Sequence, residues 1–232
     1  FKPYSVRTCR SRRGLAPSTD MPSHWETGSA VVGYVYAQVI VEGVTDIPVV
    51  TALMRAAGWD EDQFAVRSVN GKGTIDARIQ KYWEASQIIP HVIFRDVDYD
   101  EGACPVALRS ALSSKTPGDS PNLLIRIVDQ CIESWMLADR RGIAEFCGVS
   151  PARVKIPASH HKSYLLSMFR EAKLKDAVAH VDNELGFGPA YELHVQRFMT
   201  TAWNAGRAAD DSPSLGHALQ RLRALRERLA GQ

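Results

Sequence analysis

The sequence contains few cysteines and no long hydrophobic run. Only four of its 232 residues are cysteine, and none of the four forms a closely spaced pair of the kind that binds zinc. The longest apolar stretches, around 30–41 and 122–128, have the length of strands and are interrupted, which argues against a transmembrane helix. The cysteines require no oxidising compartment, so we expect free thiols, a cytoplasmic location and no membrane association.

The chain also lacks a strong charge of either sign. Its formal net charge is +2, with 45% hydrophobic and 23% charged residues. This balance is typical neither of a disordered protein nor of a strongly basic one, and the chain is long enough for one sizeable core. No internal repeat is visible.

The composition divides the chain into three predicted regions. Residues 1–30 are basic, contain no apolar signal segment and do not begin with Met, so we interpret them as a flexible leader or a segment foreign to the protein, rather than as a nucleic-acid-binding arm. In 31–148 strands alternate with helices, which predicts an α/β fold with a parallel sheet of about four strands. Residues 149–232 are rich in helix formers and predict a helical C-terminal extension without strands.

An acidic residue follows the first predicted strand. β-Branched residues are frequent from Tyr36 to Val41, Glu42 comes next, Gly43 allows a tight turn, and Asp46 can cap the following helix. Ligands of open parallel sheets bind at the carboxyl ends of the strands, so Glu42 stands where chemistry is expected. The alternative is a glutamate that faces solvent at the end of a strand.

The strand predicted from His91 ends in the same way. Strand periodicity would place Asp96, Asp98 and Asp100 on one side. If this strand neighbours the first one, several carboxylates meet in a small volume, and such a cluster is unfavourable unless a cation neutralises it. Oxygen ligands suit Mg²⁺ or Mn²⁺. The competing interpretation is an Asp-rich turn.

Further candidates follow the other strands. Lys72, in the Gly-Lys-Gly sequence of 71–73, could contact a phosphate, although the glycines also fit a plain turn. Glu133, after the fourth predicted strand, could ligate a metal or position water, or could lie on a helix surface. His161 and Lys162 could bind phosphate at a junction between a loop and a helix, and Lys162 could stabilise charge that develops in a displacement. A solvated turn is the alternative for this junction.

These motifs together resemble the Toprim domain over Tyr36 to Ala138. The resemblance rests on Glu42, on the Gly-Lys-Gly sequence and on Asp96-Val97-Asp98, in this order along the chain. Glu42 with Asp46 is similar to the acidic pair of nucleases of the overcoming-lysogenization-defect type. The segment 132–139 resembles an acidic and aromatic motif of small Toprim-like proteins encoded beside ATPases. The resemblance implies a Toprim-like Rossmannoid sheet, and it assigns 31–148 to the catalytic domain.

Two hypotheses about function follow. The first is a Mg²⁺-dependent nuclease in which Glu42, Asp96 and Asp98 hold one or two ions, Asp46 and Glu133 complete a second site, and Glu42 either ligates a metal or transfers a proton. The resemblance adds nucleic acid as partner, an ATPase as candidate partner and a role in defence against phage; the oligomeric state stays open. The second hypothesis is a non-catalytic subunit that binds nucleic acid or docks on an ATPase.

Overall fold

The centre of the protein is a sheet of four parallel strands. The structure is a computed structural model that describes residues 36–98, 104–182 and 184–231. The sheet strands are β1 (Ala37–Val41), β2 (Phe64–Ser68), β3 (His91–Asp96) and β4 (Leu123–Val128). Their order is β2-β1-β3-β4, and every neighbouring pair is parallel. The predicted α/β fold with a four-stranded parallel sheet is confirmed.

Helices connect the strands and follow them. A 3₁₀ turn, Val44–Asp46, leads from β1 into the first helix. The α-helices are α1 (Ile47–Ala56), α2 (Lys72–Ser86), α3 (Pro105–Ser113), α4 (Ile132–Ala138), α5 (Arg140–Cys147), α6 (His161–Glu171), α7 (Tyr191–Thr201), α8 (Ala205–Asp211) and α9 (Pro213–Ala230). A two-stranded antiparallel hairpin, β5 (Val178–Val181) with β6 (Glu184–Phe187), stands between α6 and α7.

Both faces of the parallel sheet are covered. On one face, Ile40, Ile93 and Ile125 pack with α2 and α3 through Ile75, Ile79 and Leu112. On the other, Val39, Val92 and Val128 join a larger cluster that includes α1 and the helices after residue 131. A strand buried on both faces reads as an almost continuous apolar run, which is why these strands could be recognised in the sequence.

The connections create a crevice between β1 and β3. From β1 the chain passes through α1 to β2 on one side, and then through α2 on the opposite face to β3 on the other side of β1. The helices that follow β1 and β3 therefore diverge to opposite faces. In open α/β sheets this reversal of strand order leaves room for a ligand outside the carboxyl ends of the two strands.

Three expectations about local structure are wrong. The C-terminal region, which the sequence predicts to be helical, contains the β5–β6 hairpin after α6 ends at Glu171. The helix α2 begins at Lys72, so the predicted loop lysine is a helical residue. The strand β3 ends at Asp96, and Asp98 beyond it has a φ of 55°. Asp98 is therefore not part of the strand, so strand periodicity does not place its side chain on the same side as that of Asp96.

The larger cluster joins residues from both sides of residue 148. It includes Ala37 and Val41 in β1 as well as Leu215 and Leu222 in α9. The division into 31–148 and 149–232 stays a prediction about domain organisation. The region 1–30 and Asp100 lie outside the described residues. In the part of the chain that is described, every helix is too short or too polar to cross a bilayer.

Candidate active site

Glu42 and Asp96 meet at the crevice between β1 and β3. Glu42 directly follows β1, Asp96 is the last residue of β3, and the two strands are hydrogen-bonded neighbours. The backbone N–H of Asp96 donates to Oε1 of Glu42 over 2.9 Å. The sheet thus fixes the glutamate side chain against the end of the adjacent strand, as the sequence predicts for two acidic strand ends in one sheet.

The turn after β1 brings a second carboxylate to the same place. The backbone N–H of Gly43 donates to Oδ2 of Asp46 over 2.8 Å, and the Thr45 hydroxyl donates to Oδ1 over 3.4 Å. These bonds turn Asp46 back toward Glu42 instead of letting it extend into solvent. Asp46 is buried, although the sequence predicts only a capping role from its position and a metal role from the resemblance.

A hydrogen bond between β3 and α4 brings Glu133 to the same group of acids. The backbone N–H of Ile132 donates to Oδ2 of Asp96 over 3.3 Å, which attaches the first turn of α4 to the end of β3. Glu133 in the same turn is only 6% exposed. The interpretation of Glu133 as a helix-surface residue is therefore wrong, because its carboxylate faces the interior beside the other acids.

Asp98 and Lys72 form an ion pair at the rim of this group. Nζ of Lys72 lies 2.8 Å from Oδ2 of Asp98, and both side chains are about one-third exposed, at 34% and 36%. The backbone N–H of Asp98 donates to the carbonyl of Gln130. The predicted phosphate contact of Lys72 stays a prediction, since in this structure its ammonium group contacts a carboxylate.

A cavity of about 490 Å³ opens above these acids, and we call it the acidic cavity. Its walls come from the carboxyl ends of β1 and β3, the loops before α2 and α4, the first turn of α6 and the hairpin. Seven of the eight predicted site residues line the acidic cavity, and Lys72 is the exception. The lining residues that matter below are Glu42, Asp46, Asp96, Asp98, Gln130, Cys131, Glu133, His161, Lys162 and Phe187.

Burial, and to a smaller extent the charges of neighbouring acids, raises the pKa values of three carboxyl groups in the acidic cavity. Burial raises the pKa of Glu42 from 4.5 to about 7, against the opposing hydrogen bond from Asp96 and the charge of Arg95. Burial, together with the charge of Glu133, raises the pKa of Asp46 to about 6. The pKa of Asp96 is also raised well above its ordinary value, by burial and then by the neighbouring carboxylates. At neutral pH the acidic cavity therefore favours either bound protons or a bound cation.

The chemistry of the donors fits Mg²⁺ or Mn²⁺. Carboxylate oxygens are the ligands that hard divalent cations prefer, and a cation would relieve the mutual repulsion that raises the pKa values. Within 36–98, 104–182 and 184–231, however, no three histidine, cysteine or acidic side chains are arranged so that one ion contacts all of them. Binding in the acidic cavity would therefore require these side chains to reorient.

Two basic side chains, Lys162 and His161, line the same cavity as the carboxylates. Lys162, in the first turn of α6, lines the cavity, and its Nζ lies 3.7 Å from the centre of the Phe187 ring on β6. His161 beside it is 3% exposed, and burial lowers its pKa. The Phe187 ring in turn stacks on Tyr191, with ring centres 4.1 Å apart. The missed hairpin thus positions the predicted lysine.

Sequence reasoning also missed Arg95 and Tyr191. Arg95 is 1% exposed, and its guanidinium lies 3.7 Å from Glu42 and 3.1 Å from Asp76. An arginine within the apolar run of β3 is a usable signal, because a buried arginine needs an acidic partner. Burial raises the pKa of Tyr191, and the charges of Glu133 and Asp46 raise it further. No local pattern predicts that Tyr191 is buried within reach of these charges.

Comparison with known proteins gave similar solved structures only. No family model matches the sequence, and no curated protein matches it. The chain is similar to the C-terminal region of the Burkholderia pseudomallei OLD protein, with 15% identity over 84% of this chain and 99% of that chain and a TM-score of 0.46. The corresponding region of the Xanthomonas campestris pv. campestris OLD protein has 15% identity over 84% and 98%, with a TM-score of 0.48. At such low identity and TM-scores, the likeness assigns no function.

Proposed function

We propose that this protein is a metal-dependent nuclease that hydrolyses phosphodiester bonds of nucleic acid in the acidic cavity. One observation carries the proposal: Glu42, Asp46, Asp96 and Glu133 converge outside the carboxyl ends of β1 and β3, in a cavity that Lys162 also lines. Acidic residues assembled at this position, with a cation in the same cavity, are suited to hold a divalent ion and a phosphate together. The motif resemblance to Toprim nucleases supports the same reaction.

In this proposal the four converging carboxylates would hold Mg²⁺ or Mn²⁺. A bound ion would supply Lewis-acid stabilisation of the phosphate and acidify water. The residues of the chain provide the remaining functions. Glu42, whose pKa burial raises to about 7 in the metal-free site, would accept a proton from the attacking water if the other three carboxylates hold the ion. Lys162 would stabilise the charge that develops on the phosphoryl oxygens.

Asp98 has a different role in the proposed mechanism from that of the buried acids. Its ion pair with Lys72 stands at the rim, where an incoming phosphate would compete for the ammonium group. If Lys72 moved to the phosphate, its ion pair with Asp98 would break, and the Asp98 carboxylate would be released within the cavity that it lines. The predicted phosphate contact of Lys72 and the predicted metal role of Asp98 therefore depend on the same exchange of partners. An ATPase partner and a role in phage defence rest on the motif resemblance alone and stay predictions.

The test is cleavage of labelled single-stranded, duplex and transfer-RNA-like substrates with Mg²⁺, Mn²⁺ or EDTA. We expect cleavage by the parent protein with metal, and a loss of at least about 100-fold in Glu42→Gln, because removal of a catalytic proton acceptor typically costs that much. Glu84→Gln, an exposed glutamate at the far end of α2, is the matched control and should cleave normally. Circular dichroism should show the same fold for all three proteins.

Two results would overturn the proposal. Cleavage that survives both EDTA and Glu42→Gln would come from another site or another protein. Absence of cleavage on every substrate, with the fold intact, would favour the non-catalytic subunit.

A further inference from the structure

A second cavity, rich in arginine, lies at the open edge of the sheet. It has a volume of about 620 Å³ and lies where α3, β4 and α9 meet. Three arginines from these three elements line it, Arg109, Arg126 and Arg221, and we call it the arginine pocket. The hydroxyl-bearing residues Ser110, Ser113 and Ser214 and the imidazole of His217 complete its polar lining.

Arg126 lies at the base of the arginine pocket without compensation for its charge. It is 9% exposed, and its Nε is buried with no hydrogen-bond partner. Burial, and then the charges of Arg109 and Arg221, lower its pKa from 12.5 to about 10. A buried donor without a partner costs free energy, and a buried cation beside two further cations costs more. An anion in the pocket would remove both penalties.

The other buried arginine among the described residues has acidic partners, since Arg95 bonds to Asp76. The more exposed Arg207 also has one, because it makes a two-pronged contact with Asp139 at 2.8 and 2.7 Å. Among the residues that the structure describes, by contrast, no aspartate or glutamate lines the arginine pocket or forms an ion pair with its arginines. This difference indicates that a bound ligand supplies the negative charge that partners the arginines of the pocket.

The lining also indicates which part of a ligand binds. Three guanidinium groups and three hydroxyls are donors suited to phosphate oxygens. No phenylalanine, tyrosine or tryptophan stands among the described lining residues, so the pocket offers no aromatic platform for a base. The chemistry therefore favours recognition of phosphate without recognition of the base.

The arginine pocket and the acidic cavity are neighbours of one smaller cavity. Ser214 lines both the arginine pocket and this smaller cavity of about 220 Å³. Gln130 and His161 line the smaller cavity and also the acidic cavity. Two carboxylates, Asp129 and Asp211, line the smaller cavity, and Asp211 is paired with Arg140 at 2.7 Å, which offsets its repulsion of an anion.

We propose that the arginine pocket binds the phosphodiester backbone of a nucleic acid strand whose scissile bond lies in the acidic cavity. This inference rests on the proposed function and adds a substrate-binding site to it. A polymer fits better than a free nucleotide, because only a polymer reaches the acidic cavity and the arginine pocket at the same time. Contacts to phosphate alone give affinity without sequence preference.

The test measures binding separately from cleavage. All proteins carry Glu42→Gln so that labelled single-stranded oligonucleotide stays intact in Mg²⁺, and fluorescence anisotropy gives the affinity at several salt concentrations. Arg109→Ala and Arg221→Ala alter exposed residues and leave the core intact, whereas Arg126→Gln tests the buried donor. Arg170→Ala, an exposed arginine on α6, is the matched control.

Each pocket variant should bind about tenfold more weakly, as expected for a lost charged hydrogen bond. The slope of log affinity against log salt should fall by about one for each arginine removed, equally for different sequences, and the control should match the parent. Equal affinity in the parent and in both exposed-arginine variants would overturn the inference while leaving the nuclease proposal in place. Binding of inorganic pyrophosphate without oligonucleotide binding would also overturn it. Absence of metal-dependent cleavage by the parent protein, in the separate cleavage assay, would instead refute the nuclease itself.

Discussion

The buried carboxylates of the acidic cavity work against the stability of the folded chain at neutral pH. Glu42, Asp46 and Asp96 each have a raised pKa, and burial is the largest cause in every case. A carboxyl group whose pKa is higher in the folded state binds protons more tightly there than in the unfolded state. Between the two pKa values, the folded state therefore loses free energy relative to the unfolded state as pH rises.

We expect the free energy of unfolding in EDTA to fall as the pH rises from 4.5 to about 7, the range over which Glu42 titrates. Urea unfolding at both ends of this range measures the effect. The double variant Glu42→Gln, Asp46→Asn should flatten the dependence, because two of the responsible groups no longer ionise. Mg²⁺ should stabilise the parent more at the higher pH, where the ligands are deprotonated. Stability that rises with pH in EDTA to the same extent in parent and double variant would contradict this account.

At the scale of single residues, the sequence predicts which acids lie at the site, but not which side chains surround them. Acidic residues at the ends of apolar runs mark Glu42 and Asp96, because parallel strands share a carboxyl edge. The electrostatic influence of Glu133 on Asp46, and of Asp46 on Tyr191, depends on how α4 and α7 pack, and no local pattern encodes that packing. Arg95 is an intermediate case. The apolar residues around it indicate that its side chain is buried, but the sequence does not indicate that Asp76 is its partner.

At the scale of elements, the β5–β6 hairpin shows where periodicity fails. Its two strands have four residues each, too few for alternation to stand out from the helix formers before them. The helix α6 ends where Lys173 takes a φ of 54° and the Leu174 N–H bonds back to Phe169. The strands of the main sheet were predicted because burial on both faces makes them strongly apolar.

The hairpin should influence catalysis through Lys162. Phe187→Leu removes the ring face beneath Nζ and should lower kcat/KM for cleavage about two- to fivefold, the usual strength of an exposed cation–π contact. Phe187→Tyr keeps the ring and is the matched control. Steady-state kinetics measures the effect, and thermal unfolding checks that the stack on Tyr191 does not dominate it. Equal activity of the two variants would show that Phe187 does not position the lysine.

At the scale of the whole molecule, α9 joins both halves of the chain. Nε1 of Trp59, after α1, donates to the backbone carbonyl of Leu222 over 3.2 Å. Nε1 of Trp135 on α4 donates to the Ser214 hydroxyl over 2.8 Å. The leucine stripe of α9, readable from the sequence as an amphipathic helix, contributes to the same core as β1. The stripe predicts burial, but it does not say which elements cover it.

We therefore expect the described chain to unfold in one cooperative step. Leu222→Ala should lower the free energy of unfolding by about 3 kcal/mol, since it leaves a cavity at a fully buried position. Leu193→Ala, at a position that is 64% exposed, should change it by less than about 0.5 kcal/mol. Tryptophan fluorescence and far-ultraviolet circular dichroism should give coincident urea transitions. Two separate transitions, with Leu222→Ala moving only one, would support an independent C-terminal domain instead.

The shared core also constrains when activity can begin during synthesis. Contacts between β1 and α9 join segments far apart in the sequence, so they cannot form before the ribosome has released α9. The walls of the acidic cavity from α6 and the hairpin likewise arrive long after Glu42 and Asp96. Under the proposed function, an unfinished chain would carry the acids without the enclosing cavity. A nascent nuclease of this design would thus be harmless to the messenger RNA from which it is being translated.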